Sequence, residues 1–374
     1  MLALALSLAP ALAADEPVMS PWGQLQVFTT LWDQDVSPTA DPASYGDPEA
    51  DPGFQLARAR FGFTGVLPMR SDTAPRVDYG LSLGISTPYD ALRLSDSGVS
   101  MVDGYGRIRL SPGVGETAVS LGLVKVPFSR EALMSSQDLV FMERGVAAES
   151  LTSVRDVGGL LRQEIDLGEG DDAPLVAVSV GVFNGNASFL GDQDPGVMGS
   201  ARIELAKGQT YRTWDPAGGV AYGVAASTIL NSELATRTFA WNADGFVRVG
   251  RWSLLAELGH STLTPTDTTL FAPDVFAKTG LMAWTAQTTW FQPLSDAEQD
   301  VPGVEIALRA SSIDDDTGIR DNGDVLILHA GATVRSVLPM VDLGAGFIHR
   351  EELAGASRPN DTIRIWTQLR PRRR

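Results

Sequence analysis

The sequence predicts an all-β protein, a single transmembrane antiparallel β-barrel of about sixteen strands, and three observations carry that reading. Segments of about ten residues alternate apolar and polar side chains, the length and pattern that a strand crossing a bilayer needs. Charged residues recur in mid-segment, repeatedly on one of the two faces. Outside the first residues, no apolar run is long enough for a membrane helix, and the mean hydropathy of +0.01 reflects residues that are interleaved rather than blocked.

The stretch "FQLARARFGF" at Phe54 to Phe63 poses the choice of inside and outside. Successive side chains of a strand point to opposite sides. Ala57, Ala59, Phe61 and Phe63 are thus expected on one face, and Leu56, Arg58 and Arg60 on the other. In a soluble sandwich the phenylalanines face a core. In a barrel they face lipid, and the arginines face a wet bore. An arginine at the lipid midplane costs about 2 to 4 kcal/mol, whereas two like charges about 7 Å apart in water repel by only about 0.6 kcal/mol. A chain of 374 residues with no Pro/Ser-rich linker is also large for one sandwich core.

In order, the predicted strands are Gly23 to Trp32, Phe54 to Leu67, Val77 to Ser86, Gly104 to Leu110, Ala118 to Val126, Asp156 to Glu164, Leu175 to Asn184 and Met198 to Ala206. They continue as Gly219 to Leu230, Thr236 to Val249, Trp252 to Thr262, Lys278 to Phe291, Gly303 to Ile313, Val325 to Val334, Val341 to Arg350 and Asp361 to Leu369. Gly, Pro, Asp and Asn bound them. Counted from a periplasmic amino terminus, the odd connections are extracellular and mostly long, as at Pro127 to Arg155. Even ones are tight, as at "VGRW", Val249 to Trp252. "KGQTYRTWDPAGG" and "QPLSDAEQDVPG" are long where a turn is expected. Trp22, Trp32, Trp252, Trp290 and Phe291 near strand ends are expected in interfacial girdles.

Composition removes several classes of function. No cysteine is present, which excludes disulfides and thiol chemistry. With 46 acidic against 29 basic residues the net charge is -17, which argues against a nucleic-acid partner. The three histidines, His260, His329 and His349, have no nucleophile motif around them, so neither an enzyme nor a cofactor is expected. Leu2 to Leu12 is apolar and ends in Ala11, Leu12 and Ala13; residues 1–13 read as a signal peptide and 14–374 as the barrel.

Arg58, Arg60 and Gly62; Gly122, Lys125, Pro127, Phe128 and Ser129; Glu143 and Arg144; Arg155, Asp156 and Gly159; and Gly181, Phe183, Asn184 and Gly185 form a pattern that resembles the phosphate-selective porin O and P family. The resemblance implies an outer-membrane porin of a bacterium, a homotrimer that passes small hydrophilic solutes or anions such as phosphate. It further implies an inward-folded third extracellular loop, for which Pro127 to Arg155 is in position. Arg130, Glu143, Arg144, Arg155 and Asp156 then belong to the constriction.

A guanidinium stays charged and offers a planar fork of donors that matches an oxyanion. Arg58 and Arg60, with Arg107 and Arg109 similarly spaced on a neighbouring strand, are expected to form an anion ladder, joined by Lys125. The parity of Lys125 groups it with Leu121 and Leu123 on the lipid side, so it reaches the bore only through a bulge or a strand end. Alternatively, each arginine is one half of a transverse salt bridge. Two features depart from a phosphate specialist: the chain has only Lys125, Lys207 and Lys278, and its outer loops are acidic, as at Asp314 to Asp316. A secreted β-sandwich and an outer-membrane hydrolase are the alternative readings.

Overall fold

The computed structural model describes residues 19–33, 53–67, 75–86, 99–110, 115–151, 153–170, 173–185, 196–233, 236–266, 279–295, 301–321, 323–338, 340–355 and 361–370. The signal-like residues 1–13 lie outside them. Among the described residues, sixteen strands form one closed barrel in which each pairs with its neighbours in sequence. They are β1 (Ser20–Asp33), β2 (Gly53–Leu67), β3 (Arg76–Ser86), β4 (Val99–Leu110), β5 (Thr117–Lys125), β6 (Arg155–Asp166), β7 (Leu175–Phe183) and β8 (Val197–Lys207). The second half holds β9 (Val220–Ser232), β10 (Thr236–Val249), β11 (Trp252–Pro265), β12 (Thr279–Pro293), β13 (Gly303–Asp314), β14 (Val325–Leu338), β15 (Val341–Glu352) and β16 (Thr362–Leu369). Antiparallel pairing of β1 with β16, from Leu25↔Leu369 to Asp33↔Thr362, closes the sheet and leaves no edge.

The two faces separate by chemistry. Phe61, Leu81, Leu121, Val180, Ile203, Leu254, Ile306 and Ile365 are among the exposed apolar residues, while Gln26, Ser120, Ser179, Glu204, Asn242, Gln287 and Gln368 are buried. Only a barrel in lipid puts grease outside and polar groups inside in this way. Trp252 pairs with Trp290 at the foot of β11 and β12, their rings 6.4 Å apart, in the girdle position. Phe291 is a correction: it is 1% exposed and packs on Trp214, because it follows Trp290 by one residue and so points inward.

Bulges account for the other departures from strict alternation. The β1–β2 register shifts between Gln26 and Val27, which inserts Ala57 as an extra residue. Ala57 is therefore buried beside Phe28 rather than on the lipid face where plain parity puts it. β4 begins at Val99, ahead of the predicted Gly104, because a register shift between Ser82 and Leu83 breaks the alternation that marks a strand in sequence.

The apolar core sits between the polar wall and the connection from β5 to β6. Val126, Phe128, Val146, Ala147 and Leu151 of that connection pack against Phe183, Met198, Ile229, Ala240, Ile313 and Ile348 of the strands. Val140, Phe141 and Met142 pack against Phe28 and Trp366. Helices α1 (Arg130–Leu133) and α2 (Val146–Ser150) are its only helical turns among the described residues. Ser129 caps α1 by accepting the amide of Ala132 at 3.1 Å.

Replacing the exposed mid-strand Leu258 by Arg should destabilise the folded barrel by about 2 to 4 kcal/mol, the cost of an arginine in the bilayer midplane. Replacing the buried Ser253 of the same strand by Ala should cost about 1 kcal/mol. Urea unfolding in lipid vesicles measures both, and equal effects would contradict the assignment of faces.

Candidate functional site

The β5–β6 connection is tied to strands all round the barrel. Toward β1 and β2, Gln26 Nε2 donates to the carbonyl of Ser136 at 3.1 Å, Ser136 Oγ donates to Gln24 at 2.8 Å, and Arg60 donates to Ser136 Oγ at 3.2 Å. Arg58 donates to the carbonyl of Met142 and to Gln26. Toward β8 and β9, Arg202 and Ser227 both donate to the carbonyl of Phe128 at 2.7 Å. Toward β13, β14 and β16, Arg309 reaches the Glu143 carbonyl at 2.9 Å, Thr333 reaches Val140, and Arg364 pairs with Glu143 at 3.0 Å.

Ion pairs anchor α1. Arg130 is fully buried and pairs with Glu204 of β8 and Asp244 of β10, each at 2.8 Å. Gly223 of β9 makes room for it, since a Cβ there would lie 2.9 Å from Arg130 Nη2. Glu131 pairs with Arg309 at 2.6 Å and accepts the amide of Gly145 at 2.7 Å. Ser129 Oγ and the amide of Glu131 both donate to Glu257 of β11 at 2.6 Å. Arg144 holds the connection to itself by donating to the carbonyls of Glu131 at 3.0 Å and Met134 at 3.2 Å.

The expected ladder residues separate into two groups. Arg58 is buried against the connection, at 4% exposure. Arg60, Arg107 and Arg109 face inward and are partly exposed, but β3 separates β2 from β4, so the two arginine pairs do not lie on neighbouring strands as expected. Arg107 donates to Ser120 Oγ at 3.1 Å, and its guanidinium lies 5.6 Å from the Tyr105 ring. Arg109 pairs with Asp78 and, at 3.5 Å, with Glu116. Arg76 stands opposite Arg109 in the β3–β4 register and pairs with the same Asp78 at 2.9 Å.

Lys125 reaches the connection through the strand end. Gly122 has φ +117°, and a Cβ there would lie 2.1 Å from the carbonyl of Gly104. Past it the alternation breaks, with Leu123 and Val124 both buried. Lys125 then ends β5, its Nζ donating to the carbonyls of Leu133 at 2.8 Å and Met134 at 2.7 Å. Across the start of β6, Arg155 pairs with Asp103 at 2.8 Å. Asp156 accepts the amides of Val157 and Gly185, each at 2.7 Å, and so closes a turn.

The residues that sequence reasoning passed over are Arg309, Arg335, Glu131 and Glu257. Arg335 is buried between Glu305 at 2.6 Å and Asp342 at 3.2 Å. Arg309 sits mid-strand in an alternating segment, whereas Arg335 lies just past the predicted strand end at Val334, where the β14–β15 register shifts. Their partners lie far off in sequence and carry no local signal. Among the described residues, no group of His, Asp and Glu could hold a metal ion.

A model of the phosphate-selective porin O and P family matches residues 35–187. Among solved structures the chain is similar to the anion-selective porin of Comamonas acidovorans, at 11% identity over 94% of this chain and 99% of that one, with a TM-score of 0.57. It is also similar to the outer-membrane channel DcaP of Acinetobacter baumannii, at 11% identity over 94% and 97% of the two chains, TM-score 0.56. A loop L8 deletion mutant of OmpT from Vibrio cholerae aligns at 10% identity over 94% and 99%, TM-score 0.56. No curated protein matches by sequence. The family match over residues 35–187 and the closed sixteen-strand fold show a β-barrel of the outer-membrane type that resembles the phosphate-selective porin O and P family.

Proposed function

We propose that residues 14–374, after removal of residues 1–13, form a barrel that assembles as a homotrimer in the bacterial outer membrane and passes small anions by passive diffusion. The β5–β6 connection folds into the bore as the third extracellular loop and narrows it. The observation that carries this reading is the set of partners of that connection, which lie on β1, β2, β8, β9, β10, β11, β13, β14 and β16. A surface lid over one side of a barrel has no route to strands all round it.

In this reading Arg58, Arg130 and Arg144 hold the constriction, with Lys125, Glu143, Arg155 and Asp156 fixing its two ends. Arg60, Arg107 and Arg109 are partly exposed on the inner face and offer anions a row of weak sites. Several weak sites favour throughput because a bound solute must also leave. The family name and the anion-selective fold neighbour support the same sign of selectivity. Acidic connections work against it at the mouth, where they attract cations at low ionic strength.

Single-channel recording in planar bilayers across a salt gradient tests the proposal. The wild type should conduct with a reversal potential on the anion side. Arg60→Ala with Arg107→Ala should move it toward cations, most strongly below about 0.1 M salt, where screening is weak. A cation-selective wild type would reject the arginine row as the filter.

Arg130→Ala should destabilise the fold by about 3 to 5 kcal/mol, because it leaves Glu204 buried without its partner. Urea unfolding measures this. The same variant should show noisier current as the constriction loosens, and a quiet trace at wild-type stability would contradict the clamp.

A further inference from the structure

The connection from β8 to β9, residues 208–219, is long where the equivalent β10–β11 turn needs only Gly250 and Arg251. Consecutive antiparallel strands put the connections after odd strands at one end of the barrel and those after even strands at the other. Residues 208–219 therefore start from the end opposite to the β5–β6 connection.

They do not stay at the rim. Thr210, Thr213 and Trp214 are all 3% exposed or less. Thr213 donates to Glu305 of β13 at 2.8 Å, and Trp214 packs on Phe291 of β12 with ring centres 5.2 Å apart. Arg248 of β10 donates to the carbonyls of Gln209 and Arg212 and pairs with Asp215 at 2.9 Å. The Arg212 guanidinium stacks 3.2 Å from the Trp214 ring, with those of Arg335 and Arg370 each at 5.6 Å.

The segment also meets the β5–β6 connection. Arg130 donates to the carbonyl of Thr210 at 3.4 Å and lies 5.1 Å from the Tyr211 ring. Tyr211 packs on the cluster of Met134 and Leu139. Arg212 approaches Asp138 at 4.0 Å, and Arg335 donates to the carbonyl of Leu139 at 3.1 Å.

We infer that residues 208–219 are a second constriction element, entering the bore from the end opposite to the β5–β6 connection. The junction of the two segments, around Arg212, Trp214 and Asp138, limits permeation. A solute passing it meets the partly exposed Arg212 and Arg370 guanidinium groups, which the buried Trp214 ring backs, a surface that admits small anions and slows bulky or cationic solutes. The inference rests on the porin reading.

Shortening the segment tests it in the full-length protein. With residues 209–218 replaced by Asn-Gly, single-channel conductance should rise severalfold, with heat-shifted gel mobility confirming the folded barrel. A folded shortened variant with wild-type conductance overturns the inference and leaves the porin reading intact, whereas silence of both proteins overturns both. Arg212→Cys, at a side chain that stays 29% exposed, supplies an independent readout, since the chain has no other thiol. A charged methanethiosulfonate reagent should reduce the current, faster from the chamber facing the even connections, and unchanged current would overturn the inference.

Discussion

The structure depends on one constraint, that hydrocarbon supplies no partner for a peptide N–H or C=O. A sheet satisfies every backbone group in lipid only by closing on itself, and the β1–β16 ladder does that here. Closure gives each strand a lipid face and an inner face, and the period of two sends every second residue to each. Charge is then confined to the inside, because the outside has nothing to solvate it.

Confinement has an electrostatic consequence. A buried charge is tolerated when it is paired and hydrogen-bonded, and strongly destabilising when it is not. Arg130 with Glu204 and Asp244, Arg309 with Glu131, and Arg335 with Glu305 and Asp342 satisfy that condition. Such pairs contribute little net stability relative to apolar packing, but they punish displacement. Their effect is to fix position: α1 is held where its carboxylate and guanidinium groups find partners on β8, β10 and β13. The apolar contacts of Phe128, Val146 and Phe141 supply the burial that the polar wall lacks.

Different arginines therefore serve different ends although they look alike in sequence. Arg58 and Arg60 are two residues apart on one face, yet Arg58 is sealed against the Met142 carbonyl while Arg60 is only partly buried beside Ser136. Arg109 shares Asp78 with Arg76, so part of its charge is neutralised, whereas Arg107 rests on a neutral hydroxyl and a ring. The pairs of Arg109 run along the barrel wall, to Asp78 on the adjacent β3 and to Glu116 just before β5, rather than across the lumen.

Strand number, the lipid face and the inward direction of Arg58, Arg60, Arg107 and Arg109 were legible in the sequence, because alternation is local and a bilayer enforces it along every strand. The partners that hold Pro127 to Arg155, and the role of "KGQTYRTWDPAGG", were not. Those segments follow no period, and their partners, Glu257, Arg309, Glu305 and Arg335, lie many strands away. The bulge at Ala57 was equally invisible, since one inserted residue reverses the parity after it without changing composition, whereas the break at Gly122 showed only as the wrong parity of Lys125. What the sequence determined alone was the barrel and its polarity. Which buried charges pair with one another was decided by tertiary structure, because long-range pairing of buried charge is a property of the closed cylinder and not of any single strand.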